Sequence, residues 1–400
     1  MRHIRSKIRA AATVATLAAL GAAATGMIVA TSGFAAVFGS DDRIEVPARL
    51  EVVGRSVGML FNNEARTVCT AFCVSDTTIA TAAHCLFKTA GETPPRVADF
   101  WFGRLNGSDS REFARIAGIT TASTPQHVMA GSTQLSVRPP IDASRDWALV
   151  RLSRPLCKGV ALPIQALAPD DVVRKAEDQR LFQVAYHRDF SNWRLAYSKP
   201  CEAARSFPGA TRTTIAKDFT NVDQLILHKC DTGGASSGSP LLIDTANGPV
   251  VIGINVGTYV QSRVMMREGE VLHRFKSETV ANTGVSAAAF QDRIAEFEQA
   301  QILPNGHGIR LVQDRLQALR FYDGTVDGAY GPQLRSAISN FEHMSQLPIT
   351  GLATTSLVRR LDNVTGSLPN SQVRPTVALP NDSRTTITTQ TRNEPSRGQR

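Results

Sequence analysis

Hydrophobic and polar positions alternate in two different ways along the chain. Between about residues 45 and 285, short runs rich in Val, Ile, Leu and Thr are separated by clusters of Gly, Pro, Asn and Asp; the runs include TTIATAA, DWALVRL, RLFQVAY, PLLID and VVIGINVG. Many short strands divided by turn residues are typical of an all-β sandwich or barrel. The next stretch, SAAAFQDRIAEFEQA, instead places Phe290, Ile294 and Phe297 on one face and predicts a helix over 286–300.

The last hundred residues divide into two parts. Apolar positions at helical spacing predict three helices over 306–361, with stripes at Val312, Leu316 and Leu319, at Leu334, Ile338, Phe341 and Met344, and at Leu357 and Leu361. The remainder is rich in Ser, Thr, Pro and Arg and has no periodicity, which predicts a disordered tail. We therefore expect a β domain over 45–300, a small three-helix domain over 306–362 and a tail over 363–400.

The first 40 residues predict export. MRHIRSKIR is basic, and the long run of small and apolar residues that follows it carries no charge. This is the pattern of an export signal, with cleavage expected after Ala35 or Ala36. A run of roughly 25–30 apolar residues could also remain as a membrane-spanning anchor. We expect a periplasmic or extracellular protein that contacts a membrane only if this segment is retained.

Composition and charge narrow the range of partners. Of the 400 residues, 42% are hydrophobic and 20% are charged, as in a globular protein. The net charge is +9, and part of that excess lies in the two ends of the chain. Basic stripes interleaved with aromatic residues are absent from the sequence, which disfavours nucleic acid. An anionic polymer of the cell envelope is a better candidate.

Six cysteines in an exported chain indicate disulfides, for which fifteen pairings are possible. Cys69 and Cys73 with the nearby His84 could also indicate zinc. A second ligand pair at metal-binding spacing is lacking in the sequence, so disulfides are favoured. We expect neither a metal nor a cofactor.

CDTGGASSGSP, residues 230–240, contains the adjacent serines Ser236 and Ser237. Such a stretch is usually only a turn. A serine becomes a nucleophile when a base removes its proton and a carboxylate orients that base. IATAAHCL offers His84 at the end of an apolar strand, and SRDWALVRL offers Asp146 at the start of another. Separately, these would be a core histidine beside a cysteine and a strand-capping aspartate.

Together, the order and contexts of these residues resemble the chymotrypsin-like serine peptidases, in which TAAHC, D-x-A-L and G-x-S-G-x-P carry the catalytic groups. The resemblance covers roughly 55–290, and the SGSP ending is most similar to the V8-like branch. It implies an all-β fold of two Greek-key barrels with the site between them. It also implies Ser237 as the nucleophile, His84 as the base and Asp146 as its orienting acid. Asp142, a rival for the acid, lacks an apolar strand behind it.

The resemblance implies an oxyanion hole formed by the N–H groups of Ser237 and Ala235. The family usually has glycine in place of Ala235, and a Cβ there could restrict the backbone. An inactive pseudopeptidase that serves as a scaffold is therefore an alternative. In trypsin, the residue before the nucleophile is an aspartate that pairs with the new N-terminus. Ser236 stands there in this chain, so that switch is absent.

The residues of the specificity pocket give mixed indications. Asp231 stands where trypsin has the aspartate at its pocket base, which would favour Arg or Lys at the cut site, but similar runs occur in the V8-like branch without that preference. Glutamate-selective members have histidine in place of Asn255, so acidic specificity is disfavoured. Gly257 and Gly284 are expected to be pocket walls.

The resemblance also implies disulfide pairs. Cys69 and Cys85 have the spacing of the disulfide that braces the family's catalytic histidine. Cys201–Cys230 would support the pocket, which leaves Cys73–Cys157. His228, nine residues before Ser237, is expected to be structural.

The stretch from VQDRLQAL to LVRRL resembles the peptidoglycan-binding domain type 1 over the whole 306–361 region. The matching positions are Tyr322, Gly324, Asp327, Gly328, Gly331, Ala337, Ile338, Phe341, Thr350 and Gly351. Most of these residues serve the fold, with glycines at tight loops. The resemblance implies peptidoglycan as a partner, bound through 306–362.

The preferred hypothesis is an exported bacterial serine endopeptidase that acts on protein or peptide substrates and is tethered to the cell wall by its C-terminal domain. The other alternative is a cell-wall hydrolase. The sequence contains neither a zinc-ligand set nor a paired-carboxylate motif for it.

Overall fold

The structure is a computed structural model that describes residues 36–87, 100–106, 110–118, 126–136, 138–190, 193–261, 264–267, 270–274 and 278–366. The predicted export segment and the predicted tail lie outside the described residues, apart from their inner ends. Among the residues described, no helix has the length and apolar character needed to cross a membrane.

Sixteen strands are found in the described part of the chain. They are β1 (Ile44–Glu45), β2 (Val57–Asn62), β3 (Thr67–Cys73), β4 (Thr78–Thr81), β5 (Trp101–Asn106), β6 (Ser110–Arg115), β7 (Val128–Ala130), β8 (Ala148–Arg151), β9 (Leu181–Tyr186), β10 (Leu195–Ser198), β11 (Leu225–His228), β12 (Pro240–Thr245), β13 (Gly248–Gln261), β14 (Val264–Arg267), β15 (Glu270–Arg274) and β16 (Glu278–Ser286).

The α-helices of the same ranges are α1 (Glu51–Ser56), α2 (Pro169–Glu177), α3 (Arg212–Asp218), α4 (Gln291–Gln299), α5 (His307–Ala318), α6 (Pro332–Met344) and α7 (Thr355–Gly366).

The strands form two antiparallel seven-stranded sheets and one small hairpin. The first sheet has the order β6-β5-β2-β3-β4-β8-β7, and the second has the order β1-β10-β9-β12-β13-β16-β11. Strands β14 and β15 pair with each other. The two curled sheets followed by three helices confirm the predicted fold class, an all-β double barrel with a helical domain after it.

Strands with both faces buried hold the two sheets together. All four residues of β4 and all six of β9 are buried. Strand β9 is accordingly a nearly continuous apolar run, whereas β4 also buries Thr78 and Thr81. One core cluster takes side chains from both sheets, including Phe72 and Phe102 from the first and Phe182 and Tyr186 from the second. The two sheets therefore share one packed core.

The helix predicted over 286–300 begins later than expected. Residues Ala287–Ala289 form a 3-10 turn, and α4 starts at Gln291. The side chain of Ser286 accepts a hydrogen bond from the N–H of Ala288, which stabilises this start. Phe290 and Phe297 are buried as predicted.

Helices α5, α6 and α7 enclose a separate core, which contains apolar residues from all three predicted stripes. Met344 is an exception, because it is 71% exposed at the end of α6. The helical spacing continued past the packed part of the helix, so including Met344 in the stripe was wrong.

The helical domain packs directly on the edge of the first sheet. The Nε2 amide of Gln126 donates to Leu303 O (3.3 Å) and to Asn305 Oδ1 (2.7 Å). Arg335 of α6 donates from Nη1 to Val128 O (3.0 Å), and its guanidinium lies 5.6 Å from the ring centroid of Phe87. Strand β7 and the segment after β4 therefore contact the helical domain.

Three disulfides join all six cysteines. The pairs are Cys69–Cys85, Cys73–Cys157 and Cys201–Cys230, the same pairs that the family resemblance implies. The first two lie in the half of the molecule that contains the first sheet. The third joins Cys201, shortly after β10, to Cys230, shortly after β11.

Candidate active site

His84 and Asp146 meet because their strands are neighbours. Strand β4 ends at Thr81, opposite Ala148 of β8, so the residues just after β4 and just before β8 lie side by side. Asp146 Oδ2 is 2.6 Å from His84 Nδ1, and Asp146 Oδ1 accepts the backbone N–H of His84 at 2.9 Å. These two contacts fix the carboxylate against the histidine. They favour the tautomer with the proton on Nδ1, which leaves Nε2 free to accept a proton.

The surroundings of His84 also make it a better base. Burial alone lowers the pKa of His84, but the charge of Asp146 and its hydrogen bond outweigh burial and raise the pKa above the ordinary 6.5. A carboxylate beside the ring stabilises the protonated imidazole. The pair can therefore take up a proton from a neighbouring hydroxyl and hold it.

Ser237 lies on a loop of residues 230–238, called here the serine loop. Its carbonyl oxygen accepts the backbone N–H of Thr70, on β3, at 2.9 Å. The sulfur of Cys85 lies 3.9 Å both from that carbonyl oxygen and from His84 Nε2. Cys85 Sγ is therefore close to both the backbone of Ser237 and the ring of His84, which places Ser237 near the His84–Asp146 pair.

Ala235 adopts a backbone conformation that favours glycine, with φ at +84°. Its carbonyl accepts the Thr70 hydroxyl at 2.9 Å, and the carbonyl of Gly234 accepts the N–H of Arg188 at 2.6 Å. Since C=O and N–H point in opposite directions across a trans peptide, the Ala235 N–H points away from Arg188. Within the described ranges, the N–H groups of Ala235 and Ser237 have no protein acceptor. They are available to an oxyanion.

Gly238 shows how closely the serine loop packs on the first sheet. It has φ +86°, and a Cβ there would lie 2.2 Å from both Thr70 O and Thr81 Oγ1. Such distances exclude any side chain. The glycine after the predicted nucleophile is therefore required by the contact between the loop and strands β3 and β4.

Asp231 is not the open pocket base that the sequence suggested. It is 3% exposed, and its two carboxylate oxygens accept the backbone N–H groups of Phe38 (2.8 Å) and Asp42 (2.9 Å). The carboxylate is therefore engaged by a segment from the start of the described chain. In this arrangement the carboxylate is not open to pair with a substrate Arg or Lys, one of the two possibilities that its position in the sequence left open.

Asn255 is buried behind the serine loop. Its Nδ2 donates to Ser236 O (3.2 Å), and its Oδ1 pairs with His228 Nε2 (3.2 Å). Burial lowers the pKa of His228 to about 4, so this histidine is neutral and donates from Nε2, while its Nδ1 accepts the N–H of Cys230. His228 is structural, as predicted, and Asn255 supports the loop.

The two glycines expected as pocket walls differ. Gly257 is partly exposed, and a Cβ there would only touch Thr283 Oγ1 at 3.4 Å. A Cβ at Gly284 would lie 2.6 Å from Leu241 Cδ1 and 3.1 Å from Ile254 O. The open side of Gly284 therefore faces the core, so it does not widen a pocket.

The competing interpretations of other residues find no geometric support. Asp142 contacts the backbone of Ser136 and the hydroxyl of Thr220, so it is not the partner of His84. Two Cys–His–Cys groups have their ligand atoms within 4.8 Å of one another, namely Cys69 with His84 and Cys85, and Cys201 with His228 and Cys230. In both groups the cysteines form a disulfide, which removes the thiolates that zinc binds.

Three residues position the serine loop in ways that the sequence did not predict. Thr70 contacts the carbonyl of Ala235, Arg188 contacts Gly234, and His187 Nδ1 accepts the N–H of Gly233 at 2.9 Å. They lie on β3 and just after β9, far from the loop in sequence. Local sequence gives no indication of such long-range contacts.

Comparison with known families agrees with this arrangement. Residues 69–254 match the family model of the trypsin-like peptidase domain. The matched region contains all three predicted catalytic residues, His84, Asp146 and Ser237. No curated protein matches the chain. A solved structure described as Glu endopeptidase in complex with MPD has 16% identity and a TM-score of 0.41, covering 65% of this chain and 98% of its own.

The helical domain has a family match of its own. Residues 305–361 match a putative peptidoglycan binding domain. Several residues typical of that family hold its loops: Asp327 Oδ1 accepts Gln313 Nε2 at 2.8 Å and the N–H of Ala329 at 2.9 Å, and Gly351 has φ +65°. Because these residues stabilise the loops of the helical domain, the family's sequence pattern is stronger evidence for the fold than for the ligand.

Proposed function

We propose that the protein is an exported serine endopeptidase that hydrolyses peptide bonds through an acyl-enzyme. The observation that carries this proposal is the 2.6 Å contact between His84 and Asp146 inside a trypsin-like peptidase domain. A partly buried histidine that is paired with a carboxylate and has a free Nε2 is the base that a serine nucleophile requires.

In the proposed reaction, Ser237 Oγ attacks the carbonyl carbon of the scissile bond and its proton passes to His84 Nε2. The N–H groups of Ala235 and Ser237 donate to the oxyanion that forms. The histidine then gives its proton to the leaving amine, and the C–N bond breaks. Water attacks the acyl-enzyme by the same route and releases the carboxylate product. Asp146 holds the ring in place throughout.

The helical domain would bind peptidoglycan and so keep the peptidase at the cell wall. It supplies no catalytic group in this proposal; tethering raises the local concentration of enzyme near wall-associated substrates. Three disulfides and the match to a peptidoglycan-binding family support a location outside the cytoplasm.

Labelling with a fluorophosphonate tests the proposal. We expect the wild-type protein and Ser236→Ala to react, and Ser237→Ala not to react. Ser236 is a matched control because it is the neighbouring serine of the same loop. Absence of labelling in the wild type would instead support a pseudopeptidase scaffold. Release of soluble muropeptides from insoluble peptidoglycan would support a cell-wall hydrolase.

A further inference from the structure

The segment of residues 36–45, called here the N-terminal segment, lies along the serine loop. Ala36 and Thr232 exchange two backbone hydrogen bonds of 3.1 and 2.9 Å. The backbone of the same segment binds the carboxylate of Asp231, and the segment ends in β1, which pairs with β10. It therefore contacts both the serine loop and the strand pair beside it.

Arg43 is the buried charge of this segment. Its side chain is 3% exposed and lies between two carboxylates. Nε and Nη2 donate to Asp41 at 2.9 and 2.7 Å, and Nη1 and Nη2 donate to Asp189 at 3.0 and 2.9 Å. Both contacts are bidentate, the geometry that fixes a guanidinium most firmly. The hydrogen bonds from Arg43 lower the pKa of both aspartates, so both are charged at neutral pH.

Asp189 in turn lies against the serine loop. A Cβ at Gly233 would lie 2.1 Å from Asp189 Oδ1 and 2.8 Å from Arg43 Nη1. The ion pair thus occupies the space that a side chain at position 233 would need. Only glycine allows the loop and the ion pair to approach this closely.

The two residues before Asp189 bind the same part of the serine loop. His187 Nδ1 accepts the N–H of Gly233, and the N–H of Arg188 donates to the carbonyl of Gly234. Burial and the charge of Arg43 lower the pKa of His187 to about 3, so its ring is neutral and Nδ1 can accept. The contact at Gly234 is the one that directs the next N–H, at Ala235.

We propose that Arg43 is a positioning residue for the oxyanion hole: by pairing with Asp189, it holds residues 187–189 against Gly233 and Gly234 and so fixes the direction of the Ala235 N–H. This inference rests on the proposed function for its catalytic consequence. Arg43 acts through an internal side chain, so this arrangement needs no free amino terminus in the N-terminal segment.

The test compares Arg43→Gln and Asp189→Asn with Asp41→Asn, measured by hydrogen exchange of the serine loop and by kcat and KM on a peptide substrate. Asp41 is a matched control. It pairs with the same guanidinium at 2.7 Å against 2.9 Å, and its side chain is 46% exposed against 44% for Asp189. Its side-chain hydrogen bonds go to Arg43 alone among the described residues.

We expect Arg43→Gln and Asp189→Asn to exchange the amides of 232–236 about tenfold faster or more. They should also lower kcat by about 10- to 100-fold, with KM changed by less than about threefold. Asp41→Asn should leave the exchange and kcat within about threefold of the wild type. Melting temperatures should be similar for the two aspartate variants, because each loses one ion pair of the same arginine.

Unchanged loop exchange in both Arg43→Gln and Asp189→Asn would overturn the inference, as would equal losses of kcat in Asp189→Asn and Asp41→Asn. Hydrogen exchange decides the positioning role whether or not the wild type turns over substrate. A wild type that does not react with fluorophosphonate would overturn the proposed function by itself, so the two failures are distinguishable.

Discussion

His84 and Asp146 follow and precede neighbouring strands of one sheet and touch directly, whereas Ser237 lies on a loop held by residues from three distant segments. The first pair is held by two hydrogen bonds between the same two residues, of 2.6 and 2.9 Å, beside the Cys69–Cys85 disulfide. The serine loop depends on contacts from β3, from residues 187–189 and from the N-terminal segment. Loss of one contact should therefore abolish the function of the first region and only weaken the second.

The largest effect is expected for Asp146→Asn. The asparagine keeps the shape but removes the charge that favours the reactive tautomer and the protonated ring, so kcat should fall by about 10³- to 10⁴-fold. Steady-state kinetics on a peptide substrate measures this loss. Asp142→Asn is the control, since Asp142 lies near in sequence but contacts Thr220. Equal losses in the two variants would contradict the assignment of Asp146.

The pH dependence of kcat/KM in the wild type and in Asp146→Asn tests the charge of Asp146 directly. Protonated His84 cannot accept a proton, so kcat/KM of the wild type should fall as the pH falls through the pKa of His84, which lies above 6.5. In Asp146→Asn the stabilising charge is gone while burial remains, so the midpoint should move to lower pH.

A smaller effect is expected for Thr70→Val, which tests the second region. Valine has the same shape but leaves Ala235 O and the N–H of Tyr186 without the hydroxyl that bonds them at 2.9 and 3.0 Å. We expect kcat to fall by about 10- to 100-fold and stability to fall by about 1–3 kcal/mol, measured by kinetics and by denaturant unfolding. Thr70→Ser should restore most of both, because it keeps the hydroxyl. Full activity in Thr70→Val would show that the loop holds its shape without β3.

The smallest effect is expected for Ala235→Gly. A Cβ at φ +84° is strained, and glycine relieves that strain at the expense of a more flexible unfolded chain. We expect a gain of about 1 kcal/mol and a melting temperature about 2–4 °C higher, with kcat within about threefold of the wild type. Ala295→Gly, at an exposed position inside α4, should lower stability instead. A loss of stability in Ala235→Gly would mean that the contacts around Ala235 favour its methyl group.

The same comparison explains how much the sequence predicts. His84 and Asp146 stand beside strands with clear apolar runs, and the family resemblance gave their roles as well as the disulfide pairs. The environment of the serine loop was not predictable, because the Phe38 contact to Asp231 spans 193 residues and the Thr70 contact to Ala235 spans 165. Contacts at such separations leave no local pattern.

Asp231 illustrates why spacing alone was insufficient. The number of residues between Asp231 and Ser237 fixes where Asp231 lies along the serine loop. That position suggested that its carboxylate lies at the base of the specificity pocket. Which backbone groups approach the carboxylate depends on a segment almost two hundred residues earlier. The N–H groups of that segment are the partners a buried carboxylate needs, and position in a motif does not reveal them.

The packing of the helical domain on β7 has a consequence for the choice of substrate. Gln126 and Arg335 join the two domains through direct hydrogen bonds, and Phe87, which contacts Arg335, lies three residues after His84. Under the proposed function, the catalytic site would then stand at a set distance and angle from the glycan that the helical domain binds. The position of a substrate relative to the wall would then determine which proteins are cleaved. The amino-acid preference at the cleavage site would be a weaker determinant.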